Sequence, residues 1–348
     1  MEKAASPFEP GLLSRIPDRP KSAVIVCASR IGDFLCATPA FRALRRRLPD
    51  TQFSLIGLPF VSGLVSRNPY LDHYVPFPGF PGMAEQFFDA CKARGFFERM
   101  QQQRFGLALQ MHGSGAYSNI FTLMLGARFT CGFVREGGDP GRLDAALPWP
   151  ASIHAARRAL ALAEFLGAAS CGHELDFQLT PGDHAAAEEL LRGCKGPFIG
   201  LHAGSREPSK LWPEEQFASA GKELQKLLAG TVVVLGGPDE GPAGERIATS
   251  LNGVARNLAG RKCLGEMGGV IARLAVLITN DSGPAHIAYA LNRPSVTLFG
   301  STDPEEWGPP ARPVHRVLRS ADRRLESISV DDAVKAALEA AGAENKYG

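Results

Sequence analysis

Transfer of a group from a phosphorylated donor to a hydroxyl needs a base for the hydroxyl proton and positive charge for the departing phosphate. Residues of both kinds occur in turns that follow apolar runs. The first such turn is Ser29-Arg30-Ile31-Gly32-Asp33, directly after the run Ser22–Ala28. Gly32 permits a tight turn into a helix, and Asp33 at the helix mouth has two readings. It is either an N-cap that accepts the first free amides or a general base, an effect worth ~10²–10⁴-fold in rate. The turn lacks the Gly-x-Gly-x-x-Gly pattern of a dinucleotide site. The second turn runs from His202 through Gly204, Ser205 and Lys210 to Trp212-Pro213. Small residues and a hydroxyl let phosphate oxygens approach the backbone closely, and Lys210 would be a mobile point charge for a pyrophosphate. The alternative is an ordinary loop with a solvated lysine. No Gly-Lys-Ser/Thr ending is present, so a P-loop is not suggested.

Two further turns fit the same chemistry. In Gly236-Gly237-Pro238-Asp239-Glu240 the glycines admit a ligand to the backbone, and Glu240 offers a carboxylate to ribose hydroxyls. Acidic residues favoured by a helix dipole are the plainer explanation. In Thr279-Asn280-Asp281-Ser282-Gly283-Pro284-Ala285-His286 a run ends and a helix begins, with Ser282 and Gly283 placing backbone donors at an anion site. Pro284 suits a first helical turn. Asp281 could meet sugar hydroxyls, and His286 either faces phosphate or sugar or is a structural histidine. His112-Gly113-Ser114-Gly115, with Ser118-Asn119 after it, and Arg135-Glu136 also follow strands and could touch an acceptor; a glycine-rich turn is the alternative. Arg45-Arg46-Arg47 reads as a solvated helix end. Cys171 and His173 are too few for a metal site.

The elements that must position these turns alternate in type. Short, nearly continuous apolar runs read as strands buried on both faces: Ser22–Ala28, Gln52–Leu58, Phe105–Gln110, Phe198–His202, Thr231–Leu235, Ala275–Thr279 and Ser295–Phe299. Helical patterns lie between them, at Phe34–Leu48, Ala84–Gln103, Tyr117–Leu125, Ile153–Leu166, Glu214–Leu228, Gly241–Leu251, Leu264–Arg273, Ala285–Leu291 and Asp331–Ala341. Such alternation implies parallel sheets covered by helices, with ligands beyond the carboxyl ends of the strands. A length of 348 residues favours two domains. The expected division is a loose lead-in at 1–21, one α/β domain at 22–180, a second at 181–320 and a C-terminal helix within 321–348. At 45% hydrophobic and 21% charged, the chain is globular in composition. A net charge of +2 gives no general drive toward nucleic acid. The cysteines are odd in number (7), irregularly spaced and without a Cys-x-x-Cys pair, which points to a reducing compartment and away from disulfides or zinc. No apolar run approaches the ~20 residues of a membrane span. The N-terminal stretch lacks the apolar core of a secretory signal. Phe87, Phe88, Phe96 and Phe97 read as core, with an interfacial role as the alternative.

Taken in order, the pieces resemble glycosyltransferase family 9, the ADP-heptose:lipopolysaccharide heptosyltransferases. They are Arg30-x-Gly32-Asp33 with Thr38-Pro39-Ala40, Lys210-x-Trp212-Pro213, Asn257-Leu258-Ala259-Gly260, and Asn280-Asp281-Ser282-Gly283-Pro284-x-His286 with Leu298-Phe299-Gly300-Ser301-Thr302. The resemblance runs from about Ala23 to Pro310 and implies a GT-B fold, two Rossmann-like domains whose parallel sheets face each other across a cleft. It implies inverting transfer without metal or other cofactor, with a nucleotide sugar as donor. Asp33 would be the base and Lys210 the catalytic cation. Gly204, Ser205 and Lys210 would hold the donor phosphates, and the Ser282–Gly283 turn the pyrophosphate. Asp281 would meet the transferred sugar with His286 nearby, Glu240 the ribose and Lys262 the adenine. Arg30, His112, Ser114 and Arg135 are the acceptor-side candidates. The last helix would return to the first domain.

One departure widens the range of substrates. Heptosyltransferase I enzymes carry Thr-Gly-Leu-Ser-His where this chain has Ser282-Gly283-Pro284-Ala285-His286. The donor is thus ADP-heptose or another nucleotide sugar, and the acceptor lipopolysaccharide core or another glycan. A nucleotide-sugar epimerase or hydrolase would instead turn over donor without acceptor, and a non-catalytic binding protein would bind donor without turnover. The expected location is cytoplasmic. A lipid-linked acceptor would place the enzyme peripherally at the inner face of the membrane, with the aromatic and basic region Phe77–Arg104 as contact surface.

Overall fold

A computed structural model describes residues 6–83, 86–253 and 255–347, with side-chain surroundings given up to 342. The chain divides into two units, Met1–Leu175 and Asp176–Gly348. The first contains α1 (Leu12–Arg15), β1 (Ser22–Val26), α2 (Ile31–Arg47), β2 (Gln52–Gly57), α3 (Ser62–Val65), β3 (His73–Pro76), α4 (Ala90–Gln102), β4 (Leu107–Gln110), α5 (Ser118–Met124), β5 (Phe129–Val134), β6 (Ala145–Pro148) and α6 (Ala155–Phe165). Its strands pair in parallel in the order β3-β2-β1-β4-β5-β6. Within β1, Ala23 through Val26 are all buried, the reason this segment reads as an unbroken apolar run. Val24 and Val26 enter a core with Phe77, Phe96, Phe97 and Phe121.

The second unit contains α7 (Pro181–Leu190), β7 (Phe198–His202), α8 (Glu214–Leu228), β8 (Thr231–Leu235), α9 (Gly241–Ser250), β9 (Ala255–Asn257), α10 (Leu264–Ile271), β10 (Leu274–Asn280), α11 (Gly283–Ala290), β11 (Ser295–Phe299), α12 (Pro304–Trp307), β12 (His315–Arg319) and α13 (Val330–Tyr347). Its order β12-β11-β10-β7-β8-β9 repeats the topology of the first sheet. Each unit is thus a doubly wound sheet with one switch point, between β1 and β4 or between β7 and β10. The loops beyond the carboxyl ends of those strands are where such sheets bind ligands.

Three expectations are corrected. The lead-in is docked rather than loose: Leu12 and Leu13 are buried, and the amides of Gly11 and Leu13 donate to Phe165 and Leu166. Positions 1–5 lie outside the described residues. The helix expected from Ala84 begins at Ala90, because Asp89 accepts the amides of Cys91 and Lys92 and caps it there; positions 84 and 85 are not described. The last helix, expected to return to the first domain, lies in the second unit. Ala333, Ala336, Ala337 and Ala340 are buried in one core with Phe217, Ala220 and Leu224 of α8. Small side chains on that stripe allow the two helices to approach closely.

Two local devices hold the helices that carry the site. Pro39 lies inside α2 and has no amide for the Leu35 carbonyl four residues back. The buried Thr38 hydroxyl donates to that carbonyl at 2.6 Å instead. Beneath α11, ring contacts run from Trp307 to His286, Tyr289 and His315. The Tyr289 hydroxyl donates to Thr297 at 2.6 Å, and His315 Nδ1 lies 2.9 Å from the Ser295 hydroxyl. Burial, helped by the charge of Arg312, lowers the His315 pKa from 6.5 to about 4.

Thr38→Val should therefore lower stability by about 1–3 kcal/mol in chemical denaturation, the cost of one unsatisfied buried carbonyl. His315 sets an acid dependence. The unfolded chain takes up its proton near pH 6.5 and the folded chain only near 4, so the contribution of His315 is complete above pH 6.5 and is lost as pH falls toward 4. Melting curves across that range should show a shallower decline for His315→Gln than for wild type; parallel curves would refute this assignment.

Candidate active site

At the switch point of the first unit, Arg30 is the N-cap of α2 and Asp33 is its third helical residue. Asp33 Oδ2 accepts the Arg30 amide at 3.1 Å, so the carboxylate closes the helix from inside. It is half-buried at the positive end of α2. Beside it, burial and then the charge of Asp33 push the Cys27 thiol up to about 12, which keeps the sulfur protonated. Ser29 Oγ lies 2.8 Å from His112 Nδ1, tying the β1 loop to the β4 loop. Burial lowers the His112 pKa, so its ring is neutral near pH 7.

The His112–Gly115 loop is held from below by Gln110, a fully buried amide at the end of β4. Gln110 Nε2 donates to the carbonyls of His112 and Gly113 and to the Ser118 hydroxyl, and its Oε1 accepts the Phe133 amide at 2.9 Å. Gly115 has a φ of +88°, and a Cβ there would lie 2.1 Å from the Phe133 carbonyl oxygen. Only glycine fits that position. Arg30 and Ser114 are half-buried in these same turns, whereas Arg135 is exposed in the turn after β5.

In the second unit, the β7, β8, β9 and β10 loops carry the remaining candidates. Lys210 Nζ donates to Asp281 Oδ2 at 3.1 Å, and Thr302 Oγ1 donates to the same oxygen at 2.7 Å. Trp212 fixes the lysine turn. Its buried ring packs edge-on against Phe217, its amide donates to Asn280 Oδ1 and its indole N–H donates to the Ile328 carbonyl. Asn280 Nδ2 donates to the Ala203 carbonyl at 2.8 Å, which joins the β7 and β10 loops.

Glu240 lies against Gly204, where a Cβ would come within 1.6 Å of Glu240 Oε1. Its Oε2 accepts the Gly237 amide at 2.6 Å and lies 3.2 Å from His202 Nε2. Burial raises its pKa, but the hydrogen bonds from His202 and the Gly237 amide together outweigh burial and hold the carboxyl below its ordinary value. Ser282 is the N-cap of α11 and stands half-buried with Gly283. His286 is buried one turn on, with Nδ1 3.2 Å from the Ser282 carbonyl and its ring against Tyr289 and Trp307, so it supports the turn from behind. Ser205 is half-buried and accepts the Glu207 amide. Lys262 is exposed, just past Gly260, whose amide donates to the carbonyls of Gly236 and Gly237.

The structure thus brings together Gly204, Glu240, Lys210, Asp281 and Ser282 in one unit, and Arg30, Asp33, His112 and Ser114 in the other. The sequence reading assigned no role to His202, Asn280 or Thr302. A polar residue closing each apolar run, His202 after Leu201 and Asn280 after Thr279, was the available signal for two of them.

The family model for glycosyltransferase family 9 (heptosyltransferase) matches residues 93–335. Lipopolysaccharide heptosyltransferase 2 of Escherichia coli strain K12 is 28% identical over 315 residues, covering 85% of this chain and 87% of that protein. Among solved structures, a family 9 glycosyltransferase from Veillonella parvula aligns with a TM-score of 0.80 at 21% identity, covering 92% of this chain and 97% of the other. The E. coli ADP-heptose lipopolysaccharide heptosyltransferase II aligns at 0.77 and 23% identity, covering 93% and 99%. The paired doubly wound sheets are accordingly the GT-B fold. With the family model covering most of its length, this chain belongs to glycosyltransferase family 9.

Proposed function

We propose that this enzyme transfers heptose from ADP-heptose to a hydroxyl of a lipopolysaccharide-core acceptor, with inversion and without a metal ion. The observation that carries the donor side is the meeting, at one switch point, of a lysine, a carboxylate pressed onto glycine and a helix N-terminus. Glu240 uses Oε2 internally, and Oε1 receives the ribose hydroxyls. The Ser282–Gly283 amides, the Ser205 hydroxyl and Lys210 take the diphosphate, Asp281 orients the sugar and Lys262 lies beside the adenine. The heptosyltransferase name of the E. coli relative supports the sugar and the acceptor, and the ADP-heptose named for its solved counterpart is the donor that fits.

Asp33 is the base in this reading. As the acceptor oxygen bonds to the anomeric carbon, its proton passes to Asp33 and the bond from that carbon to the diphosphate breaks. ADP leaves with the electron pair, its charge offset by Lys210 and the N-terminus of α11. Arg30, His112, Ser114 and Arg135 line the acceptor side.

The acceptor's lipid places the first unit at a membrane surface. No helix among the described residues is long and apolar enough to cross a bilayer. Phe96 and Phe97 of the aromatic region are core, but Phe87 is 88% exposed. Tyr117, Ile120 and Met124, at 54%, 55% and 41%, share one face of the α5 segment, which starts where the His112–Gly115 loop ends. Lys92, Arg94 and Arg99 are exposed on α4, which Gln101 bonds to the end of α5. Aromatic and aliphatic groups beside cations suit an anionic interface.

Asp33→Asn should cut kcat by ~10²–10⁴-fold with ADP affinity unchanged, in assays where wild type keeps full turnover in EDTA. Intact transfer by the variant would remove the base, and turnover that needs an added divalent ion would remove the metal-free mechanism. Replacing Phe87, Ile120 and Met124 by serine should abolish co-sedimentation with anionic phospholipid vesicles while leaving ADP binding intact; equal sedimentation would reject the membrane contact.

A further inference from the structure

The second unit holds a buried imidazole that no step above employs. His202, the last residue of β7, is 2% exposed. Its Nε2 lies 3.2 Å from Glu240 Oε2, and its Nδ1 lies 3.2 Å from both Thr279 Oγ1 and Ser282 Oγ. One ring therefore touches the glycine turn after β8, the end of β10 and the N-cap of α11. We propose that His202 is a positioning residue that couples the ribose-binding carboxylate to the diphosphate-binding turn, so that the two ends of the donor nucleotide are gripped as one unit. The proposal rests on the donor-site reading of Glu240 and Ser282 given above.

The hydrogen positions follow from the partners. Glu240, held ionised, can only accept, so the imidazole proton sits on Nε2 and Nδ1 is left as an acceptor. Two hydroxyls, of Thr279 and Ser282, stand 3.4 Å apart and face two acceptors, Nδ1 and the Asn280 carbonyl. Each acceptor receives one hydrogen. When an anionic diphosphate reaches the turn, Ser282 can redirect its hydrogen to a phosphate oxygen while Thr279 remains to serve Nδ1. The Nε2–H bond also fixes which carboxylate oxygen is spent. Oε2 takes His202 and the Gly237 amide, which leaves Oε1, against Gly204, facing the ligand. A histidine that merely filled space would need none of these contacts, and a phenyl ring would fill much the same volume.

The test is ADP titration of wild type, His202→Phe, Glu240→Gln and the double variant, each checked for an intact fold by thermal melting. Each single change should weaken ADP binding about tenfold or more, the loss of one hydrogen bond to a charged group. The double variant should be little weaker than the worse single one. In transfer assays the effect should fall on the donor KM rather than on kcat, and His202→Gln, whose amide can donate to Glu240, should recover part of the affinity. Additive losses, or unchanged ADP binding by folded His202→Phe beside a weakened Glu240→Gln, would overturn the coupling while leaving the donor reading in place. Unchanged binding by Glu240→Gln would overturn the donor reading and the coupling with it. Should His202→Phe fail to fold, nitrogen-15 spectra of the wild-type His202 ring decide: the Nε2–H tautomer is expected, and Nδ1–H would refute the proposal.

Discussion

A buried amide side chain at the end of the fourth strand is the constraint on which each unit depends. Parallel strands that end together leave backbone carbonyls and amides with no continuing neighbour, and burial makes every one of them costly unless it is paired. In the first sheet Gln110 meets that need for its own loop and for Phe133. In the second, Asn280 does so for Ala203 and Trp212. Both are completely buried, and both sit on the strand where the winding of the sheet reverses. The same position in two repeats of one topology thus carries an amide with a donor and an acceptor to distribute, and the functional loops take their shape from where those bonds go.

Glycine supplies the complementary half of this design. Gly115 presses against the Phe133 carbonyl, where no side chain could fit, and Gly204 against the Glu240 carboxylate, which a side chain would displace. The amides pull the loops inward and the glycines let them arrive.

Much of this was legible in the residues, unevenly so. Interior strands such as β1 and β8 are buried on both faces and show as unbroken apolar runs. Edge strands do not: β9 is only Ala-Arg-Asn, and in β12 half-buried Arg316 and exposed Arg319 interrupt the pattern. The motif turns follow strands, as the alternation of runs and helical patterns predicts. Asp33 was readable as a helix-mouth carboxylate, but not that its partner is the Arg30 amide, a matter of one helical turn. His202 was hidden for a physical reason. Its partners Glu240, Thr279 and Ser282 are distant in sequence, and only the pairing of β7 with β8 and β10 brings them to one ring.

The indole of Trp212 reaches across 116 positions of sequence to the Ile328 carbonyl, just ahead of α13. Lys210, two residues before that indole, therefore takes its placement in part from the tail of the chain. Clipping the tail, or fusing a rigid tag to it, would act on the placement of Lys210 rather than on solubility alone. A shortened protein that still melts cooperatively could then be mistaken for one with a changed lysine turn, although every residue of that turn is intact.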